Sequence, residues 1–350
     1  MTTKLKMVAT CCNLCGSSES KHVTSGVDSE YGVSDDVFTI VRCTGCGLAY
    51  MSPRPDVSEL DIIYPPNYAN YNVEDDYDEG DRGNVYYKLR YGIINFLIEK
   101  WLRKLFPRQR DIVMLDIGCA DGHALTCIKS AGKHNVETHG VDISASAVAK
   151  AQAAGHIAVN GRFEDVDFTE NQFDFVLASH VIEHVADPKA FTGKVFDILK
   201  PGGMFLLWTP NIGSIDAKLF RNKYWGPYCF PRHWFLFDKH SIRKLADAAG
   251  LEIVTIKFNP TGSTWLYTFH SLAKGIPTLA PYADILFPLA GSMKTTLANF
   301  VRNYIFTWLE IFILLFTGQT SNMGVVMRKP HGALTPVRAT EHADLEGVQA

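Results

Sequence analysis

The sequence predicts an α/β fold in which a largely parallel sheet, covered by helices on both faces, follows a small cysteine-bearing module. Three observations carry this: short apolar strands alternate with helical patterns from residue 111 onward, a glycine-bearing turn follows the first of those strands, and two Cys-x-x-Cys pairs stand in the first 52 residues. With 350 residues, 47% of them hydrophobic and 20% charged, the chain can form one large domain and a smaller one. A net charge of -3 lacks the basic excess of a polyanion-binding face and argues against a nucleic-acid partner.

The cysteines come first in the chain. Cys12, Cys15, Cys43 and Cys46 offer four thiolates, and Gly16 and Gly47 stand just past each pair, where tight knuckles need them. This spacing reads as a structural zinc (Zn2+) site, a zinc ribbon over residues 1–52, with a redox pair as the competing reading and Cys11 as a spare. Cys119, Cys127 and Cys229 fall in segments that read as core. The first residues lack an apolar signal region, which predicts a cytoplasmic protein in a reducing compartment.

Residues 53–110 read as a linker and an amphipathic helix. Pro53 and Pro55 mark the exit from the ribbon, Tyr64, Tyr68 and Tyr71 follow, and an acidic run from Glu74 to Asp81 reads as solvated. Leu89, Ile93, Phe96, Leu97, Trp101 and Leu105 then recur at helical spacing.

From residue 111 to 330 the pattern is that of one domain. Strands are predicted at 113–117, 139–143, 173–179, 204–210, 252–258 and 323–328, with helices at 124–130, 145–153, 189–199 and 239–249. Asp238 is the expected N-cap of the last helix and Gly250 its terminator. Residues 260–321 interrupt the last two strands and are expected to form a helical cap over an acceptor pocket. Within them, the apolar run 304–316 is thirteen residues long, short of the ~20 that a membrane span needs. The expectation is that Phe306, Leu309, Phe312 and Phe316 pack inward. The competing reading is an interfacial helix making peripheral contact with the inner membrane face through 304–316, which would favour a polyprenyl-linked saccharide acceptor. Residues 331–350 lack periodicity and read as a flexible tail.

The chemistry begins at residues 113–123, where an apolar strand runs into a glycine turn and then a helix. Gly118 and Gly122 let backbone approach a ligand, and Asp142, at the end of the next strand, can accept ribose hydroxyls. A dinucleotide-binding dehydrogenase fits less well, because Gly118 and Gly122 lack the Gly-x-Gly-x-x-Gly spacing. The stretch His180-Val-Ile-Glu183-His184 matches an inverted zinc-protease pattern, but it starts where a strand ends and not on a helix.

Over roughly residues 85–260 the sequence resembles the class I S-adenosyl-L-methionine-dependent methyltransferases. Residues 115–122 look like their first motif, 141–144 their second, 178–188 the segment after strand four, and 199–205 the turn into strand five. The resemblance implies a Rossmann-like seven-stranded sheet with S-adenosyl-L-methionine as cofactor. It assigns the methionine part to Asp116, Gly118 and Gly122, the ribose to Asp142 with Ile143 beside it, adenine to Phe163 and Glu164, and places Ser179 at the same edge. Ala120 departs from the pattern, standing where a middle glycine is commoner, and the spacing from Asp116 to Asp142 is long.

The segment after strand four is similar to that of ubiquinone-biosynthesis O-methyltransferases, where acidic residues and a histidine can hold magnesium; His180 replaces one of the acids. The zinc ribbon ahead of the domain resembles the deoxysugar C-methyltransferases of polysaccharide and natural-product assembly.

A hydroxyl acceptor requires a base, and histidine, unperturbed near pKa ~6.5, suits that task. His184, His180 and His233 are the candidates, with Asn211 able to orient the acceptor. The expected partner is a small-molecule or saccharide acceptor. An RNA methyltransferase and a non-catalytic cofactor-binding scaffold are the other readings.

Overall fold

The structure, a computed structural model, describes residues 4–65, 68, 103–106, 111–131, 134–222, 224–289 and 297–332. The acidic run, most of the amphipathic-helix expectation and nearly all of the expected tail lie outside them.

The N-terminal module consists of β1 (Met7–Val8), β2 (Ser20–Gly26), β3 (Phe38–Cys43), β4 (Ala49–Met51), β5 (Arg54–Pro55) and a short α1 (Leu60–Ile63). Pro55 does not simply mark an exit, since β5 returns to pair antiparallel with β1.

The larger unit follows as β6 (Asp111–Ile117), α2 (His123–Ser130), β7 (Asn135–Asp142), α3 (Ala145–Ala153), β8 (Ile157–Asn160), β9 (Phe173–Ser179), α4 (Pro188–Ile198) and β10 (Leu199–Pro210). After α5 (Ile215–Leu219) and β11 (Phe235–Leu236) come α6 (Lys239–Ala249), β12 (Glu252–Phe258), α7 (Ser263–Lys274), α8 (Ala283–Leu286), α9 (Leu297–Thr317) and β13 (Asn322–Arg328).

Seven strands form one sheet in the order β8-β7-β6-β9-β10-β13-β12, parallel except for β13, which runs antiparallel to both β10 and β12. This is the Rossmann-like seven-stranded sheet that the resemblance implied. Its strand order reverses between β6 and β9, and ligands of such sheets bind at the carboxyl ends beside that switch point. Strand β8 has no counterpart in the periodicity, because four residues at a sheet edge carry too little pattern. Asp238 caps α6 as expected, with Ser241 completing a reciprocal box and Gly250 ending the helix at φ 75°.

The N-terminal sheet is not self-contained. Its order is β11-β4-β3-β2, so Phe235 and Leu236, from the middle of the larger unit, add its fourth strand. A single apolar core runs from Leu14 and Phe38 through Trp234 to Phe191 and Val325. Between the two parts, the wholly buried Arg232 guanidinium bonds Asp28 through both terminal nitrogens, at 3.2 and 3.0 Å.

The described residues of 260–321 include α7, α8 and α9, and α9 does not pack in the expected way. Phe306 stacks on Phe269 of α7 at 5.5 Å, whereas Phe312 and Phe316 are 59% and 75% exposed. The inward seam is instead organised around Glu310, which is 0% exposed and accepts from Trp265 Nε1 at 2.6 Å and Ser321 Oγ at 2.5 Å. A buried carboxylate needs such donors, and meeting them turns the helix so that the two phenylalanines face outward.

Candidate active site

The glycine turn after β6 winds through three left-handed residues, Gly118 (φ 76°), Ala120 (φ 47°) and Gly122 (φ 80°). Space is as restrictive as conformation here: a Cβ on Gly118 would lie 2.8 Å from Val181 Cγ2, and one on Gly122 would lie 2.7 Å from His156 Cδ2. The first of these approaches brings the turn against the residue that follows His180.

Asp142 closes the far side of the turn. Its Oδ2 accepts from the Ala120 N–H at 2.9 Å and its Oδ1 from the Ser144 N–H at 2.8 Å, which fixes the carboxylate while each oxygen keeps a lone pair for a further donor. Asp116 lies beneath it. Burial, with the Asp142 charge adding to it, pushes the Asp116 carboxyl up to about 8. Ile143, just past the end of β7, is 49% exposed, and Ser179 is exposed at the end of β9. Glu164 is half-buried and pairs with Arg162 at 3.4 Å. Phe163 is a correction: it is only 4% exposed, its ring packed on Phe191 and Phe168 with Lys194 over its face, because the apolar residue after β8 points into the core behind the sheet edge.

The three histidines part company. His180 sits at φ 56° where β9 ends, with its side chain 44% exposed. Its Nδ1 donates to Glu183 Oε1 at 3.0 Å and its Nε2 accepts from Asn322 Nδ2 at 3.1 Å, a proton placement that follows from those partners. Burial works to raise the Glu183 carboxyl, but the hydrogen bond and charge of His180 outweigh it and hold the group below the usual range. Thr209 Oγ1 donates to the other Glu183 oxygen at 3.2 Å.

His184 and His233 stack edge to face with centroids 4.6 Å apart. Their Nδ1 atoms donate to the backbone carbonyls of Arg232 and Pro227 at 3.1 and 2.7 Å, and Tyr64 Oη lies 2.7 Å from His184 Nδ1. Burial pushes His184 down to about 4, and burial together with His184 pushes His233 down to about 3. As general bases these two suit the task less well than the more exposed His180, because their surroundings lower their affinity for a proton. Asn211 is a correction. It is fully buried, its Nδ2 donating to Thr320 O and its Oδ1 accepting from Gly213 N–H, so it shapes a loop instead of orienting an acceptor.

Two residues at the site escaped the sequence. Asn322 carries no motif and reaches His180 from 142 positions away, and Glu183 stands inside a quoted motif without a role assigned to it. Glu183, His184 and His233 also present ligand atoms within 4.8 Å of one another, so this inner face has the donor set of a cation site.

Residues 90–256 match the model of a methyltransferase domain family. The chain carries a methyltransferase domain over these residues. It is similar to the ubiquinone biosynthesis O-methyltransferase of Bradyrhizobium sp. (strain ORS 278), 41% identical over 104 residues that make up 28% of this chain and 40% of that protein. The protein of the same name from Mesorhizobium japonicum is 30% identical over 166 residues, 43% of this chain and 66% of that one. The chain thus spans about two fifths of the length of the first of these relatives. Among solved structures, phosphoethanolamine N-methyltransferase 2 of Haemonchus contortus in complex with S-adenosyl-L-methionine overlays with a TM-score of 0.48 at 18% identity, covering 81% of this chain and 63% of that one.

A second cluster among the described residues is the four cysteines, whose sulfur atoms lie within 4.8 Å of one another. Cys12 and Cys46 sulfurs are 3.3 Å apart and Cys15 and Cys43 sulfurs 3.5 Å, near the ~3.8 Å edge of a tetrahedron with zinc–sulfur bonds of ~2.3 Å. Burial works to raise Cys43, yet the Cys46 N–H and the neighbouring thiols bring it down to about 6. The donor set fits a zinc ribbon.

Proposed function

We propose that this protein transfers a methyl group from S-adenosyl-L-methionine to a hydroxyl oxygen of a small-molecule acceptor, a saccharide among the candidates, with His180 as general base. The observation that carries this reading is the buried Glu183 carboxylate behind an exposed imidazole, whose neighbour in the chain, Val181, packs against the glycine turn. The relatives are O-methyltransferases by name, which favours oxygen over carbon or nitrogen.

When bound, the cofactor supplies an activated methyl on a sulfonium, so the protein has to place and deprotonate the acceptor. The backbone of Gly118 to Gly122, with Asp116, would hold the methionine part, Asp142 the ribose, and Ile143 the adenine ring. The acceptor hydroxyl displaces the Asn322 amide at His180 Nε2 and gives its proton to that nitrogen. Glu183, ionised and buried, steadies the imidazolium that results. His184, His233 and Tyr64 hold the floor of this segment in place. The four cysteines would hold one zinc ion away from the reacting atoms, with a structural role.

The test is to incubate the protein with methyl-labelled S-adenosyl-L-methionine and pools of hydroxylated metabolites and glycans, then identify labelled products by mass spectrometry. The reading expects label on oxygen. Label on nitrogen or carbon alone contradicts the base assignment.

A further inference from the structure

Helix α9 is clamped along one side and exposes apolar side chains along the other. Glu310 and Phe306 fasten it to α7 and to the Thr320–Ser321 loop, while Val301, Tyr304, Ile305, Trp308, Phe312, Leu315 and Phe316 recur every three or four residues on the outer side, all well exposed. Arg302 Nη1 donates to the carbonyls of Ile285 and Leu286, tying the end of α8 to this helix, and both of those side chains are exposed as well. Four aromatic rings of ~150–250 Å² each, all more than half exposed, leave on the order of 500 Å² of apolar surface before the aliphatic residues are added. That already reaches the ~300–600 Å² of the largest patch on a typical monomer.

We propose that this face docks on the surface of a lipid bilayer, with α9 lying in the plane of the interface. Between Asn303 and Gln319 the one charged residue is Glu310, and it is turned inward, so the outer face meets hydrocarbon without desolvating a charge. A protein partner calls for about one hydrogen bond per 100–200 Å², but the polar side-chain atoms along this stripe are the Tyr304 hydroxyl and the Trp308 indole N–H. Those two rings, 6.0 Å apart, belong to the type that settles at the headgroup level, and Phe312, Leu315 and Phe316 beyond them are hydrocarbon throughout. The helix is 21 residues, or ~31 Å, long. Among the described residues, no helix is long and apolar enough to cross a membrane, which leaves lying on it. The C-terminal end of α9 leads through Ser321 to Asn322, so docking holds the mouth of the His180 site beside the bilayer. Docking itself does not depend on the catalytic reading.

The test is flotation of the full chain with phosphatidylcholine vesicles, next to a Leu315→Asp, Phe316→Asp variant whose two changes fall on exposed positions. The expected result is that the unaltered protein floats and the variant's bound fraction drops about tenfold or more, while circular dichroism and S-adenosyl-L-methionine affinity stay the same. The proposal is overturned if the unaltered protein stays at the bottom of the gradient, including the case in which sedimentation shows a dimer that the two changes split. It is also overturned if the variant floats as well as its parent. Flotation without cofactor binding would sink the catalytic reading and leave docking standing.

Discussion

Asn322 and His180 stand 142 residues apart in the chain and 3.1 Å apart in space, amide nitrogen to Nε2. The nitrogen that would receive the acceptor's proton is therefore occupied until an acceptor arrives. Asn322→Ala should leave cofactor affinity unchanged, because the amide touches none of the cofactor-binding residues. It should also change KM for the acceptor more than kcat. Steady-state kinetics with saturating cofactor check this, and an equal loss in both parameters would mean that Asn322 acts on chemistry.

The carboxylate behind His180 has a separate signature. Glu183→Gln keeps the volume and a hydrogen-bonding oxygen but removes the charge that supports an imidazolium, so kcat should fall by roughly 10- to 100-fold, a part of the ~10²- to 10⁴-fold that general-base assistance contributes. A variant whose kcat stays within about twofold of the parent would detach Glu183 from the base.

Cofactor binding should release a proton. With its carboxyl raised to about 8 by burial and Asp142, Asp116 is mostly protonated at pH 7 in the free protein. A cation placed near it favours the ionised form. Calorimetry at pH 7 in buffers of different ionisation enthalpy should show most of one proton released, fading as pH rises above about 8. The sign for stability is opposite to that of a paired carboxylate: raised above its unfolded value of ~3.9, Asp116 favours the free fold at low pH and costs stability as pH climbs toward 8. Asp142→Ala should weaken cofactor binding at least about tenfold, because a charged hydrogen-bond acceptor contributes ~1.5–3 kcal/mol.

Ala120 holds a left-handed conformation that L-residues occupy at a cost of ~1–2 kcal/mol. Ala120→Gly removes that cost and adds chain entropy to the unfolded state, for a net gain of about 0.5–1 kcal/mol in urea unfolding.

Much of this architecture was readable before any coordinates, and the rest was unreadable for identifiable reasons. The parallel sheet, the turn at Gly118 and Gly122, and the cap at Asp238 are local: each follows from residues within a few positions of one another. Strand β8 and the two-residue β11 are too short to show a period, and the addition of β11 to the N-terminal sheet depends on a pairing across 185 positions, from Tyr50 to Phe235. Three histidines in one neighbourhood look alike in a sequence, and burial tells them apart. Helix α9 is apolar on nearly every face, so its periodicity could not say which side the inner charge of Glu310 would select.

That pairing has a consequence for the metal. Cys43→Ser should abolish zinc binding by the purified protein and, because Phe235 and Leu236 complete the N-terminal sheet, lower the melting temperature of the whole protein in one transition. Two separate calorimetric transitions would show that the module melts alone.

The central claim meets its most direct test in single-turnover methyl transfer by His180→Asn, once an acceptor is in hand, with cofactor affinity measured on the same sample. The account predicts cofactor binding within about twofold of the unaltered protein and a transfer rate lower by roughly 10²- to 10⁴-fold. A His180→Asn protein that transfers methyl at the parent rate would contradict it.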